Sequence, residues 1–339
     1  MLLTTLTLSA LLSIQGAKLD TSRPHRSFRF VYTATVPTVP SGAKQVRLWI
    51  PVPLDTPDQT IGNLEFKTKN LGSEQAGSSA KAAKPADLKD GNMGLVKWSF
   101  HDIEGGFGRS VCLETPGKPL EVELAFDVTR YETKGGGKAS PEELAELKQP
   151  DKMIPLDGKV AAVAASLKLP GDAKAVVRSL YDHTLERMKY DKPEGDKGWG
   201  RGDAEWACDA KFGNCTDFHS YFMGLARAKG MPARFEMGFP IPGGDEKESK
   251  VGGYHCWAYV WLEGQGWMPV DISEADKHPE KTDFFFGTLD VDRVTMTGGR
   301  DLTLTPAPAA GALNFFVYPY AEVDGQKAEA TKNFKRINL

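Results

Sequence analysis

Residues 253–271 read GYHCWAYVWLEGQGWMPVD, and this stretch predicts a β-hairpin. Two alternating runs flank a turn that contains Gly264, which is typical of antiparallel strands joined by a short loop. A loop of three residues, 262–264, would place His255 directly opposite Asp271. We therefore expect an imidazole beside a carboxylate on one face of a hairpin.

The same register divides the hairpin into two faces, because successive side chains of a strand point in opposite directions. One face would carry His255, Asp271 and most of the aromatic residues, so it could line a cleft. The other face would be apolar and would belong to the core. The apolar face is predicted to comprise Cys256, Ala258, Val260, Met268, Val270 and Ile272.

A helix is predicted to begin at Cys215, directly after a Gly-Asn turn at residues 213–214. Apolar residues then recur at helical spacing until Gly230 and Pro232 end the pattern. The unpaired N–H groups and the dipole at a helix start lower the pKa of a thiol there. Asp217 opposes this effect, because its negative charge lies in the same turn. Taken alone, Cys215 could equally be a buried structural cysteine.

Together these residues are the set that acyl transfer requires. A thiolate attacks a carbonyl, an imidazole takes and returns the proton, and a carboxylate orients the imidazole. We predict Cys215 as nucleophile, His255 as general base and Asp271 as orienting acid. The backbone N–H of Cys215 would be one oxyanion donor. Candidates for the second donor are Trp199, Trp206 and Asn214, although the tryptophans could be core residues and the asparagine a turn residue.

At these positions the sequence resembles the transglutaminase-like superfamily. The resemblance extends over roughly residues 172–301, and the order Cys, His, Asp agrees with it. It implies a papain-like core of helices packed on an antiparallel sheet, with the same three residues in the same catalytic roles. The matching stretches are 213–217, 230–234, 255–257 and 266–271.

Two positions beside the predicted nucleophile differ from animal transglutaminases. Thr216 replaces a tryptophan and Asn214 replaces a glutamine, and the sequence has no calcium loop of spaced Asp residues. Bacterial members with an N-terminal β-domain are more similar, and many of these are expected to be peptidases or amidases. The resemblance thus implies hydrolysis of a peptide or protein amide through a thioester. Two alternatives stay open: a protein-glutamine crosslinking transglutaminase, and a non-catalytic envelope module that binds peptides or glycans.

A second structural unit is predicted before this core. Residues 28–36 and 46–52 alternate apolar and polar side chains, as do later stretches, which is typical of an antiparallel β-sandwich. Residues 134–138 contain three glycines and are predicted to be a linker. We therefore predict an α+β protein with a β-sandwich over residues 18–133 and a transglutaminase-like domain over residues 140–339.

Residues 1–17 are predicted to be a signal peptide. The segment is uncharged, rich in Leu and Thr, and ends in small residues. No later stretch is apolar over the length needed to span a membrane. We expect export to the periplasm, the cell envelope or the medium, where disulfides can form. The pairing of Cys112, Cys208 and Cys256 stays open.

The composition excludes several functional classes. Lys and Arg number 42 and Asp and Glu number 45 among 339 residues, and this net charge of −3 offers no basic surface for nucleic acid. With 40% hydrophobic and 26% charged residues, extensive disorder is excluded. No close Cys-x-x-Cys pair occurs, so we predict no metal and no cofactor. A zinc site would have to be drawn from Cys208, Cys215, His219, His255 and Cys256.

Overall fold

A computed structural model of the protein describes residues 20–71 and 78–339. The predicted signal peptide, residues 1–17, lies outside the described residues. Within them the fold is α+β, as predicted, with mostly antiparallel sheets and six α-helices. None of the described helices has both the length and the apolar character needed to cross a membrane.

The first part of the chain forms nine strands and one short 3-10 turn at Pro85–Asp87. In the first strand every second residue from Phe28 to Val36 is buried, because the pleat points alternate side chains to the core. The strands are β1 (His25–Val36), β2 (Val46–Val52), β3 (Gln59–Asn70), β4 (Ser78–Ala82), β5 (Gly91–Met93), β6 (Val96–Asp102), β7 (Glu104–Phe107), β8 (Arg109–Thr115) and β9 (Leu120–Tyr131).

The rest of the chain mixes helices and strands and contains a second 3-10 turn at Pro279–Lys281. Its elements are α1 (Pro141–Glu146), α2 (Lys159–Ser166), α3 (Ala173–Arg187), β10 (Lys189–Tyr190), α4 (Ala204–Ala210), β11 (Phe212–Gly213), α5 (Cys215–Ala228), β12 (Ala233–Pro240), β13 (Glu248–Lys250), β14 (His255–Leu262), β15 (Gly266–Val270), α6 (Ile272–Lys277), β16 (Arg293–Thr303), β17 (Tyr320–Val323), β18 (Gln326–Ala328) and β19 (Thr331–Asn338).

Two six-stranded antiparallel sheets form the sandwich. One has the order β13-β19-β1-β9-β3-β4 and the other the order β18-β17-β2-β8-β6-β5. They face each other through large side chains: the rings of Phe66 on β3 and Phe100 on β6 have centroids 5.6 Å apart. Both inner faces are apolar, so each sheet covers the hydrophobic face of the other.

The sheets contain strands from both sides of the predicted domain boundary, which lies between residues 133 and 140. The last three strands fall in the range predicted for the C-terminal domain, yet they complete the N-terminal sandwich: β19 pairs with β1, and β17 pairs with β2. In the opposite direction, β7 joins the C-terminal sheet beside β16. The division into residues 18–133 and 140–339 therefore stays a prediction, while the strand pairing unites the two ends of the chain.

The C-terminal sheet has five strands in the order β15-β14-β12-β16-β7. Helix α5 packs against β14 of this sheet and against the helices α2, α3 and α4. Every residue of α5 from Cys215 to Arg227 is buried as a result. A helix enclosed in this way has little freedom to move, so side chains on its first turn are held firmly.

Candidate active site

The hairpin β14–β15 is displaced by one position from the predicted register. Leu262 pairs with Gly266, so the loop comprises residues 263–265 and not 262–264. The sequence has glycine at both 264 and 266, and both adopt positive φ angles that favour glycine. The turn closes on the second glycine, which local sequence alone did not distinguish from the first.

The predicted direct pairing of His255 with Asp271 is therefore wrong, although the predicted faces are right. The displacement changes each cross-strand partner by two residues, and a change of two preserves the face. Strand β15 ends at Val270, so Asp271 lies directly beyond it and caps α6. His255 Nε2 still lies 2.7 Å from Asp271 Oδ2.

Helix α5 begins at Cys215, as the sequence predicts. Asn214 caps it, because its side-chain Oδ1 accepts hydrogen bonds from the backbone N–H groups of Thr216 and Asp217 at 2.9 and 3.4 Å. Asn214 Nδ2 donates to the hydroxyl of Tyr254 at 2.9 Å. Both the Oδ1 and the Nδ2 of Asn214 are therefore hydrogen-bonded, which holds the start of the helix at Cys215 in place.

Asp217 anchors the loop that precedes the helix. Its buried carboxylate accepts hydrogen bonds from the backbone N–H groups of Gly200, Gly202 and Asn214, at 2.7, 2.9 and 3.0 Å. Burial raises the pKa of Asp217 to about 6 against the effect of these hydrogen bonds, and a charge on Cys215 adds to the rise. The repulsion predicted between Asp217 and a thiolate on Cys215 is therefore present.

The Cys215 thiol is buried at the start of α5, and Cys256 Sγ reaches the same turn, 3.8 Å from Thr216 Oγ1. Burial opposes ionisation of Cys215, but Cys256 and the positive charge on His255 hold the pKa of the thiol well below its usual value. Burial also disfavours a charged His255, yet Asp271 and the contact with Cys215 raise the pKa of the imidazole to about 10. The favoured state is a thiolate beside an imidazolium.

Asp271 accepts hydrogen bonds on both carboxylate oxygens. Oδ2 accepts from His255 Nε2 and, at 2.9 Å, from Arg293 Nη1. Oδ1 accepts from Ser273 Oγ and from the backbone N–H of Glu274, each at 3.2 Å. Burial would raise the pKa of Asp271, but His255 and Arg293 hold it well below its usual value. Because Nε2 is engaged, Nδ1 is the ring nitrogen left to face the thiol.

His219 is a site residue to which the sequence assigns no catalytic role, only that of a helix residue or a zinc ligand. It is fully buried, its Nδ1 lies 2.7 Å from the carbonyl oxygen of Cys215, and its Nε2 accepts the backbone N–H of Ile272 at 3.1 Å. Ile272 directly follows Asp271, so one neutral imidazole connects the start of α5 with the end of the hairpin. Its spacing of four residues from Cys215 on a helix was the available signal.

Polar side chains extend from His255 to the surface. Glu274 Oε1 lies 3.9 Å from His255 Nε2 and accepts a 2.7 Å hydrogen bond from Lys277 Nζ. The same ammonium lies 3.9 Å from the centroid of the Tyr190 ring, and Tyr190 is 37% exposed. These side chains therefore connect His255 with a partly exposed aromatic ring.

The candidates for a second oxyanion donor lie in three different settings. Trp199 Nε1 donates to the carbonyl oxygen of Asp191 at 2.8 Å, so its N–H is already engaged. Asn214 is the cap of α5. Trp206 packs edge-to-face on Phe212, with ring centroids 5.4 Å apart. The assignment of a second donor to any of the three therefore stays a prediction.

All four cysteines are free and buried. Of the three whose pairing was open, Cys256 has its Sγ 3.8 Å from Thr216 Oγ1, Cys208 contacts the guanidinium of Arg187 at 3.6 Å, and Cys112 lies on β8. In the described part of the chain, no group of three or more His, Cys, Asp and Glu side chains is arranged to hold a metal ion.

Comparison with known proteins agrees with this fold. Residues 161–272 match the model of the transglutaminase-like superfamily, which confirms the resemblance inferred from the sequence. An uncharacterized protein of Haemophilus influenzae is 27% identical over 343 residues, which cover 88% of this chain and 86% of the relative.

Solved structures are also similar. A candidate cysteine protease from Cytophaga hutchinsonii has a TM-score of 0.51 at 13% identity, with 93% of this chain and 94% of that chain covered. The periplasmic domain of TgpA from Pseudomonas aeruginosa, bound to ethylmercury, has a TM-score of 0.38 at 18% identity, with 77% and 94% covered. At such identity the Cytophaga likeness shows a shared fold.

Proposed function

We propose that this chain, whose residues 161–272 carry a transglutaminase-like core, hydrolyses a peptide or protein amide through a thioester on Cys215. His255 is the general base and acid, and Asp271 orients its imidazole. The observation that supports this most directly is the 2.7 Å contact with Asp271 Oδ2 made by Nε2 of His255, which lies on the strand against which the helix that begins at Cys215 packs.

In the first half of the reaction the Cys215 thiolate attacks the amide carbonyl carbon. The resulting oxyanion accepts a hydrogen bond from the backbone N–H of Cys215 at the positive end of α5. Nδ1 of the His255 imidazolium then donates its proton to the amide nitrogen, and the C–N bond breaks. The products of this half are a thioester on Cys215, a free amine and a neutral imidazole.

In the second half a water molecule resolves the thioester. The neutral His255 removes a proton from the water while the oxygen attacks the thioester carbonyl, and the C–S bond breaks. The carboxylic acid leaves, and Cys215 returns as a thiolate beside the imidazolium. Asp271 keeps its charge throughout, because the Arg293 guanidinium and the N–H on His255 Nε2 both donate to its Oδ2.

We propose export as the setting of this reaction. The uncharged N-terminal segment with its small terminal residues supports it.

Labelling of Cys215 tests the nucleophile. We expect iodoacetamide at pH 6 to alkylate wild-type Cys215 much faster than a free model thiol, because its thiolate is stabilised. Cys208→Ala removes another buried free cysteine and should leave the labelled peptide unchanged. A Cys215 no faster than the model thiol would favour the non-catalytic binding module.

Product analysis separates hydrolysis from crosslinking. The enzyme is incubated with a glutamine peptide, with a peptide library and with a primary amine, and products are identified by mass spectrometry. Backbone or side-chain hydrolysis that is lost in Cys215→Ala supports the proposal. Incorporation of the amine into glutamine would instead assign crosslinking.

A further inference from the structure

We propose that Cys215 and Cys256 are a modification site at which a hydroperoxide closes a reversible disulfide. The bond would block the nucleophile and protect it from irreversible oxidation. This inference rests on the proposed function only in that Cys215 must react as a thiolate. It assigns a task to Cys256, which the amide chemistry does not use.

The position of Cys256 places its sulfur against the start of α5. Its Sγ lies 3.8 Å from Thr216 Oγ1 and 3.7 Å from His219 Nδ1. Both partners lie on the helix that Cys215 begins, one and four residues after it. His219 Nδ1 also lies 2.7 Å from the carbonyl oxygen of Cys215, so the Cys256 sulfur and Cys215 meet at the first turn of the helix. Cys256 is therefore the second sulfur of a dithiol, on a strand that faces the nucleophile's helix.

The surroundings of Cys256 make its thiol group unusual for its position. The next two residues on the same face of β14 are Ala258 and Val260, and all three are fully buried. An apolar side chain would satisfy this packing without further contacts. Cysteine adds a weak donor and a second nucleophilic sulfur at a position of the strand that faces the first turn of α5.

The two sulfurs differ in charge. The contacts with Cys256 and His255 favour the thiolate of Cys215, whereas burial and the neighbouring thiolate keep Cys256 protonated. Peroxides oxidise thiolates and not thiols, so the first oxidation occurs on Cys215. Cys256 is then the resolving thiol.

The chemistry balances in two steps. The Cys215 sulfur attacks one peroxide oxygen, the O–O bond breaks, and the leaving oxygen takes the proton of His255 to form water or an alcohol. Cys215 is now a sulfenic acid and is oxidised by two electrons, while the peroxide is reduced. The Cys256 sulfur then attacks the sulfenic sulfur, the S–O bond breaks, and the departing hydroxide takes the thiol proton as water.

The resulting disulfide joins a sulfur on the first residue of α5 to one that already contacts the next residue of that helix. The two sulfurs must approach to a bond of about 2.05 Å. Once formed, the bond links the first residue of α5 to the second residue of β14 and leaves no thiolate to attack an amide. A dithiol reductant restores both thiols by exchange.

The test is peroxide treatment of the full chain followed by peptide mass spectrometry. In the wild type we expect a Cys215–Cys256 cross-linked peptide that has lost two hydrogen atoms, with iodoacetamide labelling of Cys215 abolished and then restored by dithiothreitol. In Cys256→Ala we expect the Cys215 peptide to gain two or three oxygen atoms, with labelling not restored. Cys208→Ala and Cys112→Ala, which remove the other two free cysteines, should behave as the wild type.

Two outcomes overturn the proposal. One is a wild-type Cys215 that gains two or three oxygens as readily as in Cys256→Ala. The other is a disulfide that joins different cysteines. Cys256→Ser, which preserves the side-chain size, repeats the test if the alanine variant is unstable. The readout is the mass of a peptide, so it is independent of whether the enzyme hydrolyses amides.

Discussion

Arg293 Nη1 donates a 2.9 Å hydrogen bond to Asp271 Oδ2, the oxygen that also lies 2.7 Å from His255 Nε2. Arg293 is itself fully enclosed, and its second carboxylate partner is Asp290 at 3.0 Å. Two cationic side chains thus share one oxygen. The orientation of the imidazole therefore depends on a guanidinium that lies outside the predicted Cys-His-Asp set.

Asp271→Asn tests the orienting acid. Asparagine keeps the cap of α6, because it is an equally good N-cap, but it removes the negative charge between His255 and Arg293. We expect kcat for amide hydrolysis to fall by about 10²–10⁴-fold. Steady-state kinetics measure this fall. Thermal unfolding controls for any stability lost because Arg293 no longer has the Asp271 carboxylate as a partner. Wild-type kcat in a folded variant would contradict the role.

His219→Leu tests the link between the nucleophile and the hairpin. The change leaves the buried N–H of Ile272 without its acceptor, which costs about 1–3 kcal/mol of unfolding free energy. We expect kcat to fall while KM changes little, because His219 positions Cys215 and does not touch substrate. Chemical denaturation and kinetics are measured together. His219→Gln, which retains an acceptor, should recover part of kcat. A His219→Leu variant that loses stability but keeps the wild-type kcat would show that the histidine is only structural.

The pH dependence of amide hydrolysis, measured as kcat against pH, follows from the two shifted pKa values. The lowered pKa of Cys215 means that the thiolate is present at neutral pH and is lost only on the acid side. The pKa of His255 is raised to about 10, so its proton is present below that pH and lost above it. We expect hydrolysis to be level near neutrality and to fall as the pH rises through about 10.

The same profile in Asp271→Asn supplies the control. Removing the carboxylate removes the main interaction that raises the pKa of His255. The alkaline fall should therefore move to lower pH. An alkaline limb at the same pH in both proteins would assign it to a different group.

Phe334→Ala tests how the last strand holds the two parts of the chain together. The Phe334 ring lies 4.3 Å from the ring of Phe239 on β12 and 4.8 Å from that of Tyr32 on β1, between centroids. We expect a loss of about 3–5 kcal/mol in unfolding free energy, measured by denaturant titration. Leu339→Ala, at a residue 70% exposed, should change it by less than about 0.5 kcal/mol.

Features with a local signal could be predicted from the sequence. The cap residue Asn214 and the apolar spacing after it locate the start of α5 at Cys215. The alternation along β14 and β15 predicts which side chains share a face. The faces remained right when the register was wrong, because a displacement of the turn preserves the parity of each position.

Features without a local signal could not be predicted. The pairing of β19 with β1 joins residues roughly three hundred positions apart, and nothing in either strand specifies its partner. The contact of Arg293 with Asp271 likewise depends on the position of β16 in the sheet, where β12 separates it from the hairpin β14–β15. Long-range pairing is decided by the packing of whole sheets, which single-residue patterns do not encode.

The pairing of β1 with β19 has a consequence for the synthesis of the protein. Until β19 has been synthesised, β1 has β9 on one side and an open edge on the other. Such an edge is prone to aggregate until its neighbour arrives. The first strand therefore becomes an interior strand of its sheet only when β19 is in place, so the sandwich is closed by one of the latest segments of the fold to be synthesised.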